Sequence, residues 1–92
     1  MTEEQKAFFN EIKAIQDVAV NLALSKKDSY EKTEDMLKDV TYEAIYRIME
    51  LLDGYRADTI KCNLVNTKTG SILNEHIEMH DLCADFLDSA DV

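Results

Sequence analysis

The sequence predicts an α+β fold in the order α-α-β-β-α: an antiparallel two-helix hairpin followed by a β-hairpin and a short C-terminal helix. Three observations predict it. Apolar residues recur at spacings of three and four through two long stretches, the period drops to two after Gly54, and it returns to the helical value near His80. No proline interrupts these stretches, which suits long helices.

The first helix is expected over about residues 3–26. Thr2 followed by Gln5 has the form of a capping box, and Glu3 and Glu4 sit where the positive end of a helix dipole favours acids. Phe8, Ile12, Ile15, Ala19 and Leu22 make its apolar stripe, and Lys26 and Lys27 suit its negative end. Its second half, from Val18 to Leu24, is apolar on more than one face, more than a single partner helix would hide. The second helix has two possible starts, at Asp28-Ser29 or at Thr33, and should end near Asp53 against Gly54, a natural left-handed cap. Leu37, Val40, Ala44, Ile45, Ile48, Leu51 and Leu52 form its stripe. At 1.5 Å per residue the two helices extend about 36 and 31 Å, matched well enough to pack as a hairpin.

Beyond Gly54, Ile60, Cys62 and Leu64 alternate with polar residues, and Asn66-Thr67-Lys68-Thr69-Gly70 supplies a turn. A returning strand is expected from Ser71 to about Glu78, although Ile72 and Leu73 are adjacent and Glu75 interrupts the face. Met79, Leu82, Cys83, Phe86, Leu87 and Ala90 then line one side of a terminal helix. Tyr30 and Tyr55 would lie near opposite ends of the second helix.

Ninety-two residues make one compact domain, 1–92, because a second core could not be built from what remains. With 46% apolar residues the chain is too hydrophobic to stay disordered despite its net charge of −9. That charge argues against direct binding to nucleic acid or to an anionic membrane, both polyanions, and leaves a basic partner open. The first residues carry acids where a signal peptide needs a basic segment, and no apolar run exceeds three residues, so neither export nor a membrane span is expected. Cys62 and Cys83 show no C-x-x-C spacing and read as small buried hydrophobes in a reduced cytoplasm.

A lone two-stranded hairpin is marginal in water, and the first helix has apolar surface to spare, so a homodimer is expected. The alternative is a monomer whose terminal helix covers the first helix.

Signals for covalent chemistry are weak. Gly54 and Gly70 are both used in turns, leaving no phosphate-cradling loop, so no cofactor is expected, and the serines lack a nucleophile-elbow context. The segment Glu75-His76-Ile77-Glu78-Met79-His80-Asp81 gathers potential metal ligands, and on one continuous helix His76, His80 and Cys83 would share a face that could hold zinc. With His76 on a strand, however, it stands about 13 Å from His80, too far to share an ion. An enzyme is therefore not expected.

The distribution of acids is more informative. Residues 71–92 hold six acids, the last of them Asp91, and no Lys or Arg, supplying −6 of the net charge. Asp81, Asp85 and Asp88 fall at helical spacing on one face, roughly opposite Phe86 and Leu87. With Glu78 they form a surface complementary to a basic protein, or a solvated face that only keeps the chain soluble. Tyr42 and Tyr46, one helical turn apart, are candidate interface anchors or packing at the edge of the stripe. The expected function is a non-enzymatic interaction protein, in a sharper form an immunity-type inhibitor or a mimic of nucleic-acid charge. A metal-binding enzyme or sensor using His76, His80 and Cys83, or a subunit of a larger assembly, are the alternatives.

Overall fold

Thr2 starts the first helix as its spacing requires. Its hydroxyl accepts from the Gln5 N–H at 3.0 Å while Gln5 Oε1 accepts from the Thr2 N–H at 2.8 Å, completing the capping box. This computed structural model describes residues 1–90; Asp91, the last acid of the tail, lies outside the described residues. Helix α1 runs Glu3–Ser25, and a three-residue 3₁₀ turn at Lys27–Ser29 redirects the chain. Helix α2 runs Thr33–Asp53 and returns along α1 as a helical hairpin. Of the two possible starts for α2 the chain uses the second, because Asp28 and Ser29 are spent on the 3₁₀ turn. Gly54 ends α2 at φ 94°, a conformation in which a side chain is strained and where a Cβ would sit 3.1 Å from the Lys61 side chain.

The core lies at one end of the hairpin. Ile15 of α1, Leu51 of α2 and Ile60 of the following segment meet there, with Phe8, Ile12, Ile48, Ala57 and Cys62 packed around them. Ala19 and Ala23 are buried further along α1. The stretch around Ile60 is held to the helix end by the Cys62 N–H, which donates to Leu52 O at 2.9 Å, and by a local turn in which the Ile60 N–H donates to Ala57 O.

The β-hairpin forms, but far shorter than expected. Strand β1 is Val65–Asn66 and β2 is Ser71–Ile72, paired antiparallel with Val65 opposite Ile72. Residues 60–64 form no regular strand, since the Cys62 N–H is already used by α2. Their alternation reflects packing on the core. The return strand does not reach Glu78, because the chain turns over residues 73–76 and His76 adopts φ 61°. Asn74 explains how the hairpin ends there. Its side-chain amide imitates another rung of the ladder, accepting from the Leu64 N–H and donating to Cys62 O, each at 2.9 Å. Asn74→Ala removes both bonds and leaves backbone groups unpaired, so it should cost about 1–3 kcal/mol. Chemical denaturation checks this; an unchanged midpoint would rule out the amide as a strut.

Helix α3, Met79–Phe86, packs on α2 through Met79, Leu82 and Cys83 against Ile45 and Met49. It ends earlier than the apolar spacing suggested. Leu87 is extended, its N–H capping Cys83 O, and the chain then runs on so that the Ala90 N–H reaches Asp39 Oδ1 at 3.1 Å. Asp88 therefore lies beyond the helix, and Phe86, expected on the buried side, is 81% exposed. Among the described residues no helix is long and apolar enough to cross a membrane.

Candidate functional site

Helix α3 starts where α2 ends, and one buried carboxylate joins them. Asp53, the last residue of α2, is only 6% exposed. An acid at a helix C-terminus opposes the dipole, so this position needs compensation from elsewhere. The start of α3 supplies it. Glu78, at the N-cap, makes no side-chain capping bond; Asp53 does the capping from the neighbouring helix, accepting from the His80 N–H at 2.9 Å. The same oxygen meets His80 Nδ1 at 2.6 Å.

These contacts set the charges. Burial pushes the Asp53 carboxyl upward, but the backbone N–H of His80, the His80 ring and the Met79 N–H outweigh it and hold the group below its ordinary value. His80 moves up: the hydrogen bond to Asp53 dominates, burial opposes it, and Asp81, with Oδ1 at 3.3 Å from Nε2, adds to the rise. Both shifts favour the charged form of each partner, a carboxylate on Asp53 and an imidazolium on His80.

Aromatic rings wall this pair. Tyr55 and Tyr46 stand T-shaped to His80, at centroid distances of 5.0 and 5.9 Å, and Tyr42 stacks on Tyr46 at 6.2 Å. Tyr42 and Tyr46, read from the sequence as interface anchors or as packing at the edge of the stripe, are half-buried next to α3. Tyr55 Oη lies 3.4 Å from Glu78 Oε1, and that carboxylate is the first cause of the rise in the Tyr55 pKa, followed by burial.

Chemically, the group can hold a proton or a cation. Asp53, Glu78 and His80 each place one donor atom within 4.8 Å of the others, a mixed oxygen and nitrogen set in which a divalent ion would take the place of the shared proton. This is not the set the sequence suggested. His76 is exposed in its turn and paired with Glu75, and Cys83 Sγ donates to Met79 O inside α3. Burial, reinforced by Asp53, pushes the Cys83 thiol up, so it stays protonated and is a poor ligand or nucleophile. Of the expected trio, His80 alone enters the cluster. Asp53, 27 residues away in sequence, was missed, although an acid immediately before a capping glycine is a signal in itself.

The acids of the tail form the outer side of the same region. Glu78, Asp81, Asp85 and Asp88 are all exposed, as is Phe86. Comparison with protein-family models, with curated proteins and with solved structures finds no match.

Proposed function

We propose that the chain is a non-enzymatic interaction protein, dimeric in its working form, that docks on a basic partner protein through α3 and the residues that follow it. The observation that carries this reading is the composition of that surface. Asp81, Asp85 and Asp88 are exposed, Phe86 of α3 is exposed as well, and residues 71–90 contain no Lys or Arg. Acids supply steering toward positive charge, and a protruding aromatic ring supplies apolar area once contact is made. The clamp beneath, Asp53 with His80, holds the acids in one place. An inhibitor that covers a basic cleft is the sharpest form of this reading. The free thiols of Cys62 and Cys83 suit a reducing compartment such as the cytoplasm.

The test uses immobilised chain against a cell extract, with the double variant Asp85→Lys and Asp88→Lys as control. Among the described residues neither side chain makes a hydrogen bond or ion pair, so the variant should keep its helical content. The wild-type chain should retain proteins of high isoelectric point, release them as ionic strength rises above about 0.3 M, and lose them in the variant. Equal retention by the variant, or binding indifferent to salt, would refute docking through these acids.

A further inference from the structure

The chain exposes more surface than a protein of its size should. A folded monomer of this mass is expected to leave about 5,400 Å² accessible, whereas this one leaves 6774 Å². Its radius of gyration is 15.0 Å, against about 12 Å for a compact chain of this length. The excess, about 1,300 Å², exceeds the roughly 800 Å² that each partner buries in a standard protein interface.

Part of the exposed surface is an apolar groove between the long helices. It has a volume of about 510 Å³ and runs along one side of the hairpin, with Ile12, Val20, Val40, Ala44 and Ile48 among its lining and Phe9 at its rim. Phe9 is 57% and Val20 41% exposed. Helix α3 leaves this side open, because it packs on Ile45 and Met49 of α2, a different face of that helix.

We propose that the groove seats a second copy of this chain, two hairpins closing into a four-helix bundle. Matched helices of 23 and 21 residues present stripes of similar length, as such a bundle requires. Charge favours a copy over a basic partner on this face. The one charged residue of the lining is Lys13, already paired with Asp17 of the same helix, so two grooves meet without confronting acids. A basic partner would be drawn to α3 instead. The arrangement names the surface of the dimer proposed above and leaves the acids of both α3 helices free.

Sedimentation equilibrium or light scattering on the purified chain tests it. A mass twice the 10.5 kDa of one chain is expected, with association strengthened by salt, since each copy carries −9. Val20→Glu should give a monomer of unchanged helicity, because the residue is part-exposed in the single chain. If that variant loses helicity, Phe9→Lys at the more exposed rim serves in its place and should also give a monomer. A wild-type monomer at tens of micromolar, or a dimer that keeps its mass in the folded variant, overturns the proposal. A monomer that still captures basic proteins in a salt-sensitive way would remove the groove interface while leaving docking through α3 intact.

Discussion

Asp53→Ala is expected to lower stability by about 3 kcal/mol, the usual scale for removing one partner of a buried ion pair. In a chain of this size that corresponds to a fall of roughly 10–20 °C in Tm. The substitution strips α3 of its cap and leaves the buried His80 ring without its carboxylate partner. Asp53→Asn keeps an acceptor for the backbone N–H groups and should cost less. The pH dependence follows from the two directions of shift. Asp53, held below 3.8, contributes stability present above that value and lost as pH falls through its lower folded value. His80, raised above 6.5, contributes stability fully present below 6.5 and lost as pH rises through its raised folded value. The contribution of the pair is therefore greatest between about pH 4 and 6.5 and declines on the alkaline side. Thermal melts of the wild type and of His80→Asn across pH 5–9 check this, since the variant should lose the alkaline decline. A wild-type protein that gains stability through that range would contradict the clamp.

Leu51→Ala should have the second large effect. Leu51 is fully buried at 0% exposure and shares the small core with Ile15 and Ile60. Truncation at such a site costs about 3–4 kcal/mol in lost transfer energy and residual cavity. Against a total of roughly 5–10 kcal/mol for a small domain, much of the folded population would go. Denaturant unfolding measures it directly. A cost below about 1 kcal/mol would mean that the core does not centre on this residue.

Local chemistry made the helices legible. Thr2 with Gln5 and Gly54 after Asp53 mark helix ends through bonds between near neighbours, and the stripes of α1 and α2 repeat over many turns. The rest depended on partners distant in the chain. Ile60, Cys62 and Leu64 alternate as a strand would, but the end of α2 takes the Cys62 N–H. The hairpin stops at Ile72 because a side-chain amide, Asn74, replaces the backbone ladder, and spacing cannot show which asparagine does so. Phe86 fits the apolar spacing of a helix, yet the chain leaves that helix toward Asp39. The acids of the tail could be read directly, since exposure of charge needs no partner. The pairing of Asp53 with His80 could not.

Asp39 gives the tail a second anchor. It receives the Tyr30 hydroxyl at 2.7 Å, which pushes that phenol up to about 12, and it receives the Ala90 N–H on its other oxygen. Asp53 and Asp39 stand fourteen residues apart on α2, roughly 21 Å along its axis. The segment from His80 to Ala90 is thus strung antiparallel to α2 between two carboxylates of that helix, like a belt fastened at both ends. Sliding it by one turn would unfasten both. Its aspartates consequently reach any encounter already in register, and the loss of freedom that weakens recognition by floppy acidic tails has occurred during folding instead.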